Sequence, residues 1–370
     1  MTPFQIEVPQ NVLDDLSMRL KQSRWTDEPE NAGWNFGTNP HYLRELVNHW
    51  QTEYDWRTHE AAINELPQYK TEIDGITIHF IYVKGNAENA SPIMLSHGWP
   101  DSFYRFLKII PTLTNGTDKR PAFDLVIPSI PGFGFSQQTA IDSDKTAALF
   151  NKLMTETLGY SSYFAAGGDM GTLITKSLAV QFPDVVEAIH LTDVGYPNGS
   201  EDWSTMTPAE QEFGQQIQHW FFTEGGFNMI QSTKPQTLGY ALNDSPVGLA
   251  SWIIEKFYAW SDNDGDLETC FTKDELITNI MIYWVSQSIN SSIRTYAENA
   301  RAAYMGGLQS SQRVAVPTGI SLFPKEAQFP REWAERMANV TSFNKMDKGG
   351  HFAAMELPEL YAKELADYFG

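Results

Sequence analysis

Gly167-Gly168-Asp169-Met170-Gly171 has small residues on both sides of a central acid. The apolar run Tyr160-Ser161-Ser162-Tyr163-Phe164-Ala165-Ala166 precedes it, and a helical pattern, Leu173-Ile174-Thr175-Lys176-Ser177-Leu178-Ala179, follows. A sharp strand-to-helix elbow needs small residues around its exposed central residue, and it aims that side chain over the carboxyl edge of a sheet. A serine there must first lose a proton to a base, whereas an aspartate is ionised at neutral pH. Asp169 therefore suits direct displacement at a saturated carbon, leaving an alkyl-enzyme ester. Taken alone, the same pentapeptide is equally a glycine-rich turn with a capping Asp.

A base and an orienting acid would complete the chemistry, and both have candidates later in the chain. His351 follows Gly349-Gly350, which let a loop turn sharply enough to point the imidazole at the elbow. Two acids compete to orient it: Glu326, in Leu322-Phe323-Pro324-Lys325-Glu326, after the next-to-last strand, and Asp193, after the strand that follows the elbow helix. Nucleophile, acid and histidine is the chain order of an α/β-hydrolase triad, in which both positions are known sites for the acid, and Glu326 is preferred. Asp347 reads as a loop surface residue, and His97 as structural, since a second base would have no orienting acid.

These groups converge only if strands and helices alternate. Pro92-Ile93-Met94-Leu95-Ser96 is a short buried-strand run that empties into His97-Gly98-Trp99-Pro100. Phe123-Asp124-Leu125-Val126-Ile127-Pro128 empties into Pro131-Gly132-Phe133-Gly134-Phe135-Ser136. Helical patterns follow each, the signature of a parallel sheet. Further strands fall at 185–193, 313–320 and 340–343, and residues 71–83 read as a hairpin turning at Asp74-Gly75. Helical, aromatic-rich segments at 11–24 and 41–50 come first, and 203–303 reads as a helical insertion over the strand ends. The expected class is α/β: a mostly parallel central sheet with helices on both faces, a helical cap and an amino-terminal helical and meander segment. The expected division is 1–90 for the amino-terminal segment, 91–195 and 306–370 for the two parts of the core, and 196–305 for the cap.

With 370 residues, 42% hydrophobic and 13% aromatic, the chain reads as one large decorated globular body. No run approaches the roughly 20 apolar residues of a membrane span, and the first eight residues lack the basic and apolar regions of a leader. One cysteine, Cys270, suits a reducing compartment, so a cytoplasmic protein is expected. A net charge of −20 opposes nucleic acid and anionic membranes, and leaves a neutral small substrate unaffected. Asp262-Asn263-Asp264-Gly265-Asp266 lacks the outer ligands of a calcium loop, with Trp260 and Phe271 standing there, and reads as a polar loop. Neither a metal nor a cofactor is called for.

His97-Gly98-Trp99-Pro100-Asp101-Ser102-Phe103, Pro131-Gly132-Phe133-Gly134-Phe135-Ser136, Gly167-Gly168-Asp169-Met170-Gly171, Phe323-Pro324-Lys325-Glu326 and Gly349-Gly350-His351-Phe352-Ala353-Ala354 together resemble the microsomal-type epoxide hydrolase family. Trp34-Asn35-Phe36-Gly37 with Tyr42-Leu43-Arg44-Glu45-Leu46-Val47 resembles its amino-terminal segment, so the likeness spans nearly the whole chain. The resemblance implies a cofactor-independent opening of small apolar epoxides to diols, with Glu326 as the triad acid; the sequence is silent on oligomeric state, a homodimer being one option.

It also implies that cap tyrosines hold and protonate the epoxide oxygen. Ser292-Ile293-Arg294-Thr295-Tyr296-Ala297-Glu298-Asn299 matches one such motif, which gives Tyr296 that role. The second tyrosine should fall within residues 224–235, where this chain has Phe227. Phenylalanine donates no hydrogen bond, so either Tyr296 acts alone, Tyr196 or Tyr240 substitutes, or the substrate is not an epoxide. The backbone N–H groups of Trp99 and Met170 are the expected oxyanion donors, and Trp99 and Phe227 the expected pocket wall. Two other readings stand beside this: a dehalogenase with the same Asp-His-acid set, disfavoured by Met170 where a halide donor usually follows the nucleophile, and a non-catalytic homologue binding a ligand or partner.

Overall fold

In the computed structural model, which describes residues 1–117, 120–197 and 201–370, the strands are β1 (Thr2–Phe4), β2 (Gln68–Ile73), β3 (Ile76–Val83), β4 (Ser91–Ser96), β5 (Phe123–Pro128), β6 (Tyr163–Gly167), β7 (Val186–Leu191), β8 (Val314–Leu322) and β9 (Ala338–Lys345). They form one sheet in the order β1-β2-β3-β5-β4-β6-β7-β8-β9. The antiparallel edge is a meander, and its β2–β3 turn has φ of 52° at Asp74 and 78° at Gly75. That is the left-handed pair a two-residue hairpin with the native twist requires. From β5 to β9 every pairing is parallel. All six residues of β5, and β4 from Pro92 onward, are buried. Since successive side chains point to opposite faces, both faces of these strands are covered, which is why their sequences run apolar without alternation.

The chain leaves β4 for β5 on one side and comes back to β6 on the other. This reversal opens a crevice at the carboxyl ends of β4 and β6, where ligands of such sheets bind. Ser96 at the end of β4 pairs in register with Gly167 at the end of β6. The loop beginning at His97 and the elbow at Asp169 are therefore neighbours by register.

The helices preceding the crevice are α1 (Gln10–Lys21), α2 (Pro40–Thr52), α3 (Trp56–Asn64), α4 (Ile110–Asn115) and α5 (Ser143–Lys152), and α6 (Met170–Gln181) starts at the elbow itself. Between β7 and β8 come α7 (Pro208–Thr223), α8 (Gly226–Thr233), α9 (Pro235–Asp244), α10 (Pro246–Trp260), α11 (Lys273–Ser286) and α12 (Ile289–Gly306). Reciprocal capping boxes, Thr207 with Glu210 and Thr272 with Glu275, fix the starts of α7 and α11. The chain closes with α13 (Arg331–Met337), α14 (Ala353–Glu356) and α15 (Pro358–Phe369). Among the described residues no helix is long and apolar enough to cross a membrane.

The amino-terminal helices grip this insertion. Trp34 stacks on Tyr258 of α10 with centroids 3.9 Å apart. Thr38 Oγ1 donates to the Ser251 carbonyl at 2.6 Å, Arg19 to that of Asp244 at 2.8 Å, and His49 Nε2 lies 2.7 Å from Asp274 Oδ1. The elements differ from the sequence reading mainly at their ends. The elbow strand starts at Tyr163 rather than at Tyr160, whose hydroxyl is instead fastened to Asp124 Oδ2 at 2.5 Å. The last strand extends to Ala338–Lys345 because it pairs along most of β8.

The first turn of α6 lies directly on the end of β4, and a Cβ on Gly171 would sit 2.0 Å from the Ser96 carbonyl oxygen. Gly171→Ala is expected to cost about 1–3 kcal/mol through forced displacement, measured as a lower urea midpoint. Gly226→Ala, whose added Cβ meets open space, is the control and should leave the midpoint unchanged or raise it.

Candidate active site

Asp169 has φ 58° and ψ −130°, a region that costs a non-glycine residue about 1–3 kcal/mol unless its surroundings hold it there. Asp193 supplies much of that hold. Its Oδ2 accepts from the Asp169 N–H at 3.0 Å and from Thr172 Oγ1 at 2.5 Å, and its Oδ1 from the Gly195 N–H at 3.2 Å. The flanking glycines are required by crowding. A Cβ on Gly98 would meet Asp169 Oδ1 at 2.3 Å, and one on Gly168 would meet Thr192 Oγ1 at 2.4 Å. In that space the N–H groups of Trp99 and Met170 both donate to Asp169 Oδ1, at 2.9 and 2.6 Å. Burial raises the Asp169 carboxyl above its usual range, while His351 and these two N–H groups pull it back.

Asp169 Oδ2 faces the imidazole instead, 3.6 Å from His351 Nε2. His351 Nδ1 lies 2.9 Å from Glu326 Oε1. Of the two competing acids, Glu326 stands at the ring and Asp193 at the elbow. Burial alone would lower the imidazole, but the charge and hydrogen bond of Glu326, with Asp169 opposite, outweigh it and lift His351 to about 9. The loop carrying His351 is tied down residue by residue. Gly349 N–H donates to Asp262 Oδ2 at 2.8 Å, His351 N–H to the Trp260 carbonyl at 2.9 Å, and Phe352 N–H to Glu356 Oε1 at 2.9 Å.

Arg105 had no place in the sequence reading. Only 1% exposed, it joins the two halves of the site: Nη1 donates to Asp101 Oδ2 at 2.5 Å and Nη2 to the His351 carbonyl at 2.8 Å. Asp101 Oδ1 in turn accepts from the Gly98 N–H at 2.9 Å, so one guanidinium fixes the Trp99 loop relative to the histidine loop. The signal was the i, i+4 spacing of opposite charges just after His97-Gly98-Trp99-Pro100. His97 is fully buried, with Nδ1 3.0 Å from the Gly98 carbonyl and Nε2 accepting from Ile130 N–H. Burial lowers it to about 4, and it packs the loop as a neutral ring. Asp347 is exposed.

Asp169, Glu326, His351, Tyr296 and Phe227 all border one cavity of about 970 Å³. Its wall is aromatic, with Trp220 and Trp260 meeting Phe227 edge-on at 6.3 and 5.2 Å. Trp99 is placed differently from the sequence reading. Its ring is fully buried behind Phe227, stacked 5.6 Å away at 7°, and it reaches the site only through its backbone N–H. Tyr296 stands perpendicular to both rings. Burial first, then Asp169, pushes its phenol well above the usual range, so it stays a proton donor. Tyr240 is 73% exposed and borders a different cleft, which removes it as a substitute donor.

A carboxylate elbow at the switch point of a largely parallel sheet, under a helical insertion, defines a hydrolase of the α/β-hydrolase fold. The model of that fold matches residues 91–224, and the model described as "Epoxide hydrolase N terminus" matches residues 1–106. The chain is 36% identical over 408 residues to epoxide hydrolase 1 of Sus scrofa, covering 100% of this chain and 88% of the pig protein. The crystal structure of juvenile hormone epoxide hydrolase from Bombyx mori superposes with a TM-score of 0.86 at 31% identity, covering 100% of this chain and 93% of that one. The Aspergillus niger epoxide hydrolase structure gives 0.85 at 30% identity, with 100% and 95% covered. The chain belongs to the epoxide hydrolase family.

The raised His351 also leaves a mark on stability. Its ordinary value of 6.5 applies when unfolded, and about 9 when folded, so its protonated form favours the folded state. That contribution is full below about pH 6.5 and is lost as pH rises through about 9. Asp193, raised by burial to about 6, and Glu356, to about 7, complete their own losses at lower pH. Thermal midpoints between pH 7.5 and 9.5 are therefore expected to fall more steeply in the native protein than in Glu326→Gln.

Proposed function

We propose that this epoxide hydrolase opens apolar epoxides to vicinal diols by way of an alkyl-enzyme ester on Asp169. The observation that carries the reading is the inequivalence of the two Asp169 oxygens. Oδ1 accepts two backbone N–H bonds, whereas Oδ2 looks into the cavity beside the imidazole. Oδ2 attacks an epoxide carbon, the ring C–O bond breaks, and its electron pair goes to the ring oxygen, which takes a proton from Tyr296. The phenolate recovers a proton from the His351 imidazolium.

Esterification removes the Asp169 charge that helped to raise His351, so the imidazole is left neutral and basic enough to deprotonate water. Glu326 at Nδ1 holds the ring with Nε2 toward the ester. The water oxygen bonds to Cγ, and the negative charge that develops on Oδ1 lies where the Trp99 and Met170 N–H groups already donate. Collapse expels the diol with the proton from His351. The carboxylic acid then returns its proton to the imidazole, and the starting charges are regained.

The aromatic wall supports an apolar substrate. Phe227 supports a reading in which Tyr296, rather than a residue of α8, transfers the proton. Cys270, a lone thiol that burial holds protonated by raising it to about 11, fits a reducing compartment, and we read the enzyme as cytoplasmic.

Repeated turnover of an apolar epoxide in oxygen-18 water tests the covalent step. The peptide containing Asp169 is expected to gain one heavy oxygen by mass analysis, and an unlabelled peptide alongside diol formation overturns the ester mechanism. His351→Gln should still form the ester but hydrolyse it about 10²–10⁴-fold more slowly, so that intact-protein mass shows the adduct accumulating.

A further inference from the structure

The cavity holds a second phenol that the mechanism above does not use. Among its lining residues, side-chain hydroxyls are carried by Tyr196, Ser232 and Tyr296. Ser232 Oγ is engaged with Asn228 Oδ1 at 3.3 Å. The hydroxyls of Tyr196 and Tyr296 hydrogen-bond to no described residue. Both phenols are pushed well above the usual range, by burial first; among the charges facing Tyr196 are Asp193, Glu326 and Asp169. A neutral phenol facing three carboxylates, with no acceptor taken among the described residues, is a donor available to whatever occupies the cavity it lines.

Its position is also fixed relative to the nucleophile. Gly195, the residue before it, donates its N–H to Asp193 Oδ1 at 3.2 Å and accepts from Trp333 Nε1 at 2.9 Å. The same Asp193 holds the Asp169 N–H, so the backbone leading to Tyr196 and the elbow share one carboxylate. The ring is wedged by Trp220 and Phe221, with centroids 6.5 and 6.4 Å away. Trp220 also lies 6.3 Å from Phe227, so one indole neighbours both Tyr196 and the ring that has no hydroxyl.

We propose that Tyr196 is a second catalytic donor, giving a hydrogen bond to the epoxide oxygen while Tyr296 transfers its proton. The inference rests on the ester reading above. One proton moves, from Tyr296. Tyr196 keeps its own and stabilises the oxygen as the ring C–O electron pair settles on it. Such a donor acts only while charge develops on that oxygen, so it serves ester formation and not ester hydrolysis.

Single-turnover quench with mass detection of the Asp169 ester separates those two steps. Tyr196→Phe, which keeps the packing against Trp220, is expected to form the ester about 10–10³-fold more slowly and to hydrolyse it at the native rate. Tyr196→Phe/Tyr296→Phe should form it more slowly than either single variant. A native rate of ester formation in Tyr196→Phe overturns the proposal, as does an equal slowing of both steps, the mark of a packing defect. Diol formation by the native enzyme with no Asp169 ester overturns the ester reading itself, a result readily told apart from the others.

Discussion

Two backbone N–H groups converge on one oxygen of Asp169, and the arrangement that brings them there dictates much of the surrounding structure. Trp99 and Met170 belong to loops after different strands, so their convergence requires β4 and β6 to be neighbours in parallel register, Ser96 beside Gly167. It requires a left-handed φ at a residue that has a Cβ. It also requires glycine at 98, 168 and 171, where any side chain would enter occupied space. Held in this way, the two carboxylate oxygens differ before any ligand arrives: one is cradled and the other is presented. An asymmetric carboxylate of this kind needs no reorganisation if charge moves onto the cradled oxygen, which is the condition under which fixed dipoles are most effective.

The charges around it form a balanced set. Asp169 and Glu326 both act on Asp193, and each of the three carboxylates is answered by its own neighbours, with His351 between Asp169 and Glu326. N–H groups answer Asp169, Thr172 and the elbow backbone answer Asp193, and the imidazole answers Glu326. Beneath them Arg105 joins Asp101 to the histidine loop. A buried guanidinium is costly unless paired. Here its two partners lie on opposite sides of the crevice, so the bond that offsets its desolvation also fixes the spacing of the site.

Much of this was legible in the sequence, for identifiable reasons. The elbow and the hairpin at Asp74-Gly75 depend on local backbone chemistry and were readable where they stand. The meeting of Asp169, Glu326 and His351 was readable because each follows a strand whose carboxyl end the fold brings to one edge. What escaped were contacts between segments distant in sequence. No local pattern says that Arg105 reaches the carbonyl of residue 351, that Asp193 takes the elbow N–H, or that the Trp99 ring turns away behind Phe227 while its N–H turns in. Strand ends were misjudged for the same reason, since β9 extends as far as its partner β8 allows.

The grip of the amino-terminal helices on α9, α10 and α11 alters what kind of lid the insertion can be. A lid hung from its two chain crossings would swing as a rigid body, on the microsecond-to-millisecond scale of hinge motions. This one is also pinned from a third direction, by the stacked Trp34–Tyr258 pair and by polar links at Ser251, Asp244 and Asp274. A swing would have to break them together. The insertion is thus built as a roof on three supports, and a rigid swing away from the cavity would cost all of those contacts at once.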